Sequence, residues 1–143
     1  MPASPNTPAK ERSDSVRIVV FLDESLNEFF VVDESDKPGL KLPGGNFEPG
    51  ETADEAAVRE MGEELSSGQA EGALIPVGEL PNDDGISKRY IYATVWDGKL
   101  TRGEDITRVK RFNIENVPEG QNQAHIISAA KLAFEFMRAR KDQ

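Results

Sequence analysis

One stretch, LPGGNFEPGETADEAAVREMGEELSSG from Leu42 to Gly68, constrains this chain more than any other. Pro49-Gly50 marks a turn, because proline presets one backbone angle and glycine tolerates the conformation that follows. Thr52 and Glu55 then stand three residues apart, the spacing of a capping box, so a helix is predicted from Thr52 to Leu65. At about 100° per residue, Glu60, Glu63 and Glu64 fall within about 100° of arc on that helix. Val58, Met61 and Leu65 occupy a neighbouring arc and are expected to face the core. Three carboxylates therefore gather at the edge of the apolar stripe, not opposite it.

A solvated acidic face is the ordinary fate of such glutamates. Two features argue otherwise. Glu60 and Glu64 form a repulsive i,i+4 pair with no lysine beside them. The glycine-rich loop just upstream can also fold its backbone against the same face. Carboxylates joined by a backbone carbonyl are the oxygen ligands that a hard divalent cation takes, and such an ion relieves their repulsion.

Composition narrows the alternatives. The formal net charge of −9 over 143 residues lacks the basic footprint of a duplex nucleic-acid binder. It is compatible with a small phosphorylated substrate, since a bound dication inverts the local field. There is no cysteine, hence no disulfide, thiol nucleophile or thiolate metal site. The single histidine, His125, rules out a multi-histidine zinc centre. No apolar run reaches the roughly 18–20 residues that span a bilayer, and no membrane partner is expected. The opening MPASPNTPAKERSDS has no apolar leader segment, so residues 1–14 read as a flexible tail and a cytoplasmic location is the default expectation.

Along the remainder, VRIVVFL from Val16 to Leu22 reads as a buried strand, with FFVVD from Phe29 as its hairpin partner. LKLP is a short segment after a turn. GALIPVGEL from Gly72 reads as an edge strand that tolerates Pro76, and KRYIYATVW from Lys88 as a strand closed into a hairpin with LTRG. ITRVKRFNI is a further strand. In the final NQAHIISAAKLAFEFMRARK, Ile126, Ala129, Ala130, Ala133, Phe134 and Met137 recur at helical spacing. Strands with a mid-chain and a terminal helix predict an α+β fold, an α/β/α sandwich whose strand order the sequence leaves open.

Gly45, Glu51 and the run Arg59-Glu60-Met61-Gly62-Glu63-Glu64 resemble the Nudix box, G-x5-E-x7-R-E-U-x-E-E-x-G-U with U a bulky aliphatic residue. The match is intact through Glu64 and departs where Ser66 and Ser67 replace the last glycine and aliphatic residue. This resemblance, of MutT type, implies a single domain over residues 15–143 with a mixed central β-sheet. It implies hydrolysis of a diphosphate linkage in a nucleoside diphosphate derivative, with Mg²⁺ or Mn²⁺ as cofactor. Glu60, Glu63 and Glu64 would bind metal together with the Gly44 carbonyl. Arg59 would pair with Glu51 and orient the turn, its planar fork gripping a carboxylate in two places. Glu104, with Asp105 as the lesser choice, stands where many members carry a later-loop base or ligand.

The remaining candidates follow from residue type alone. Arg17 is a substrate contact if its strand turns it to the cleft, and Lys88 and Arg89 are placed to meet phosphates. Phe47, Tyr90, Tyr92 and Trp96 include candidates for stacking on a base, against the commoner role of core aromatics. His125, without partners in sequence, reads as a hydrogen-bonded helix residue. A nucleoside triphosphate pyrophosphohydrolase is the leading reading. Hydrolysis of ADP-ribose or a nucleotide sugar stands second, with Pro81 the residue in its favour. A catalytically silent nucleotide-binding module would be expected to lose box carboxylates that are all present here. Monomer and homodimer are both left open.

Overall fold

The computed structural model describes residues 14–23, 25–34, 40–64, 74–82, 85–95, 106–120 and 122–141. Its strands are β1 (Ser15–Phe21), β2 (Phe29–Glu34), β3 (Leu40–Lys41), β4 (Gly44–Asn46), β5 (Ile75–Pro81), β6 (Lys88–Val95) and β7 (Ile106–Phe112). Helix α1 (Ala53–Glu64) follows β4, a 3₁₀ turn spans Ile114–Asn116, and α2 (Gln123–Lys141) ends the chain.

All seven strands belong to one mixed sheet. β1 lies parallel to β6 along its whole length, from Ser15 opposite Arg89 to Phe21 opposite Val95. β5 runs antiparallel on the far side of β6 and forms that edge, so Pro76 sits where a missing N–H does least harm. The expected hairpin between β1 and β2 is reduced to one registered pair, Phe21 opposite Phe29. β2 instead pairs along its length with β7 and shares its other side with β3. The reason is that β4, read in the sequence as loop, takes the start of β1: Ser15, Val16 and Arg17 face Asn46, Gly45 and Gly44.

β1 is buried on both faces because its alternate residues serve two cores. Val16, Ile18 and Val20 join Phe30, Tyr92, Ala56, Ala57 and Met61 under α1. Val19 and Phe21 join Ile91, Ala93, Ile126, Ala129, Ala130 and Ala133 under α2. This is the two-layered helix cover that the α/β/α reading expects.

Two local expectations need correction. Val58 is 65% exposed, whereas the sequence placed it against the core. The helix lies on the sheet through Ala56, Ala57, Glu60 and Met61, since the small alanines permit close approach and Val58 is turned about 100° beyond Ala57. Leu65 falls outside the described residues, as does the LTRG hairpin arm. Residues 1–13 of the expected tail are also outside them. Asp14 is not loose: it is buried, its carboxylate accepts from the Lys88 N–H at 2.9 Å and its carbonyl from the Phe47 N–H at 3.1 Å. Among the described residues no helix is long and apolar enough to cross a membrane.

Candidate active site

The capping box forms as spaced. Thr52 Oγ1 accepts from the Glu55 N–H at 3.2 Å, and Glu55 Oε1 accepts from the Thr52 N–H at 3.0 Å. This start fixes the rotation of α1 and brings Arg59 over the turn that precedes it.

Arg59 ties β4, the turn at Pro49-Gly50 and α1 together. Its Nε donates to Glu51 Oε2 at 2.7 Å and its Nη2 to Glu51 Oε1 at 2.9 Å, a two-pronged grip. Nη1 donates to Glu60 Oε1 at 2.8 Å, and Nη2 also donates to the Asn46 carbonyl at 3.0 Å. Glu51 in turn accepts from the Glu48 N–H at 2.8 Å, which closes the Pro49-Gly50 turn. The Arg59 hydrogen bond, against the opposing effect of burial, holds the Glu51 carboxyl below its ordinary range. The same Glu51 bond leads the causes that push the guanidinium higher still.

The two glycines of β4 have different reasons to be glycine. Gly44 has φ +142°, and a Cβ there would lie 2.0 Å from the Val16 carbonyl oxygen, inside the strand pairing itself. At Gly45 the obstacle is Glu60: a Cβ would meet Oε1 at 2.7 Å. Glu60 is 7% exposed, and so its carboxylate is seated in the space that a side chain at position 45 would fill.

These features fit a hard dication. The buried carboxylate of Glu60 and the adjacent Gly44–Asn46 backbone offer oxygen donors, the kind that Mg²⁺ and Mn²⁺ take; the side chains of Glu63 and Glu64, in the closing turn of α1, lie outside what the structure describes. Glu104 and Asp105 lie outside the described residues.

The other candidates divide between the two faces of the sheet. Arg17 and Arg89, from β1 and β6, line a small cavity of about 50 Å³ on the α2 face with Lys41, Leu42, Asn122 and His125. Arg17 Nη1 donates to the Leu42 carbonyl at 3.0 Å. Arg89 Nη1 lies 2.9 Å from His125 Nδ1. Arginine only donates, so in this contact the ring nitrogen is the acceptor. His125 is thus a hydrogen-bonded helix residue, as expected, and also a cavity wall.

Phe47 and Lys88 line neither this cavity nor its neighbour. Phe47 packs on Tyr90, ring centroids 5.6 Å apart, at the margin of the α1 core. Lys88 Nζ meets Glu79 at 2.9 Å across the β5–β6 pair. Tyr92 is buried and donates to Asp54 Oδ1 at 2.5 Å; burial first, then this bond, raises its phenol above the usual range. Tyr92 therefore braces the first turn of α1.

Sequence reasoning did not select Lys41, Asn122 or Gln123. Asn122 and Gln123 border a second cavity of about 380 Å³ that shares Asn122 and Ile126 with the first. Their only signal in the sequence is a pair of carboxamides at a helix start, which reads equally well as capping.

A box glutamate clamped by its arginine, a glycine-made seat for a buried carboxylate and a helix-flanked mixed sheet define a class, and the chain is a member of it: a family model described as the NUDIX domain matches residues 11–132, so the protein belongs to the Nudix family. A protein of Bacillus subtilis (strain 168), provisionally named an 8-oxo-dGTP diphosphatase, is 44% identical over 63 residues, covering 44% of this chain and 42% of its own. The ADP-ribose pyrophosphatase of Methanocaldococcus jannaschii is 30% identical over 126 residues, covering 83% of this chain and 67% of its own. This chain therefore spans less than half of the first relative. Among solved structures, a UDP-X diphosphatase matches with a TM-score of 0.66 at 19% identity, over 96% of this chain and 66% of that one. That likeness shows the fold.

Proposed function

We propose that this chain is a Mg²⁺-dependent hydrolase of a phosphoanhydride in a nucleoside diphosphate derivative, with nucleoside triphosphates as its main substrates and a monophosphate and pyrophosphate as products. The observation that carries the reading is the Arg59 brace, which joins Glu51, Glu60 and the Asn46 carbonyl beside Gly44 and Gly45 of β4.

When bound, the dication supplies charge neutralisation at the diphosphate oxygens and acidifies the attacking water. The chain's own residues do the rest. Glu60, Glu63, Glu64 and the Gly44 carbonyl would hold the ion. Arg59 orients the turn through Glu51, and a carboxylate, for which Glu104 is the candidate, accepts the proton of the water. The corner at Leu42-Pro43-Gly44 connects the two faces of the site. Leu42 walls the small basic cavity, and Gly44 lies in register with Arg17.

Hydrolysis of ADP-ribose or a nucleotide sugar is the second reading. The longer alignment, to the Methanocaldococcus protein named for that activity, favours it. A panel of nucleoside triphosphates, ADP-ribose and nucleotide sugars with Mg²⁺, its products separated by chromatography, tests both. Turnover of triphosphates that stops with EDTA, returns with Mg²⁺ or Mn²⁺ and falls at least about a hundredfold in Glu64→Gln is expected. Wild-type rates in Glu64→Gln overturn the metal site, and cleavage of ADP-ribose alone transfers the assignment to the second reading.

A further inference from the structure

Helix α1 rests on the sheet over β1, with Val16, Ile18 and Val20 in one core with Ala56, Ala57 and Met61. Apolar burial is non-directional, and alanines present little ridge to lock a rotation. Packing alone therefore leaves the roll of α1 weakly set. β1 itself is flanked by two strands: Val16 stands opposite Gly45 of β4 on one side and opposite Tyr90 of β6 on the other.

Polar contacts reach α1 from both flanks. On the β4 side, Glu60 fills the space above Gly45, and Arg59 donates to the Asn46 carbonyl at 3.0 Å. On the β6 side, the hydroxyl of buried Tyr92 donates to Asp54 Oδ1 at 2.5 Å. Asp54 and Glu60 are separated by about 120° on the helix, with fully buried Ala57 midway, about 60° from each. The two carboxylates thus reach opposite margins of the stripe that faces the sheet. A helix held at one margin can roll about it, and one held at both cannot. Side chains extend about 5–6 Å from a helix axis, so a roll of about 10° carries a carboxylate by about 1 Å.

We propose that Tyr92 is a positioning residue for the metal site: its hydroxyl, through Asp54, sets the rotation of α1 and so the place of the Glu60 carboxylate against β4. The inference rests on the metal-dependent reading above and adds to it a residue that touches neither metal nor substrate. Tyr92 acts as the counterweight to Arg59, one tie on each side of β1.

The test reads Mn²⁺ binding to the whole chain, without substrate, from the electron paramagnetic resonance signal of the free ion. Tyr92→Phe keeps the ring and removes the donor, and its Kd for Mn²⁺ is expected to rise about tenfold, as for other groups that orient metal ligands. Asp54→Ala is expected to match it, and the double variant to be no weaker than either single one, because both remove the same bond. Asp54→Asn keeps an acceptor for the hydroxyl and should bind Mn²⁺ like wild type. Ile91→Ala, which disturbs the core on the opposite face, controls for lost stability and should also bind like wild type while folded by circular dichroism. Wild-type affinity in Tyr92→Phe overturns the inference, as does equal weakening in Asp54→Asn and Asp54→Ala, or in Ile91→Ala and Tyr92→Phe. Each of these outcomes leaves the metal site itself standing. A wild-type chain that binds no Mn²⁺ removes the metal reading and this inference together.

Discussion

Arg59 ties the box together from a single side chain, and its geometry explains why lysine is no substitute. One planar cation reaches both oxygens of Glu51, one of Glu60 and a backbone carbonyl. A lysine ammonium cannot span these acceptors with the same fork. Arg59→Lys is expected to fold, as judged by circular dichroism, and to lose about a hundredfold in kcat/KM, because a slightly misplaced turn is enough to cost that much. The Glu51 partner makes a pH prediction. Its carboxyl is held below the ordinary 4.5, so the folded state resists protonation while the unfolded chain takes the proton up. The stabilisation is complete above that value and declines as pH falls from it towards the depressed folded pKa. Melting temperature followed from pH 6 to pH 3 should therefore fall less steeply in Glu51→Gln than in wild type. At this scale the sequence was legible where a motif tied residue types to spacing, as with Arg59 and Glu51. Arg89 and His125, 36 positions apart, carried no such tie.

At the scale of elements, β4 shows how a strand can pass for a loop. Its residues Gly44-Gly45-Asn46 have no β propensity, yet they pair with β1 because Gly44 alone can bring its backbone so near Val16. The two glycines should fail differently. Gly44→Ala sets a methyl against the backbone in a positive-φ position, so severe loss of stability or of soluble protein is expected. Gly45→Ala meets the end of a side chain, and a folded protein whose Glu60 carboxylate is displaced is expected. Thermal melts would show a small change for Gly45→Ala beside a loss of about a hundredfold in Mg²⁺-dependent turnover. Equal loss of stability in both variants would contradict the assignment of Glu60 to that space. In α1 the capping box could be read from spacing because its partners are local. The rotation that exposes Val58 could not, since it depends on the sheet that the alanines meet.

For the whole molecule, one strand joins the two layers. Ile18 and Ile91 are both fully buried, under α1 and α2 respectively, and sit on adjacent strands. Ile18→Ala and Ile91→Ala are each expected to lower unfolding stability by about 2–5 kcal/mol. Each should keep a single transition, with far- and near-ultraviolet circular dichroism coinciding. Separate transitions would mean that the layers fold independently. The amino-acid sequence by itself determined the box, the start of α1, the two-sided burial of β1 and the small-residue face of α2. Each is a matter of neighbours within a few turns or one strand, where spacing alone dictates which groups meet. Tertiary structure alone decided that β1 runs parallel to β6, that β4 intervenes before β2, and that Arg17, Lys41, Arg89, Asn122 and His125 share one side of the sheet. Those residues come from three strands, α2 and the residue just before it, distant in the chain, and only the pairing of backbone hydrogen bonds across the sheet brings their side chains to the same face.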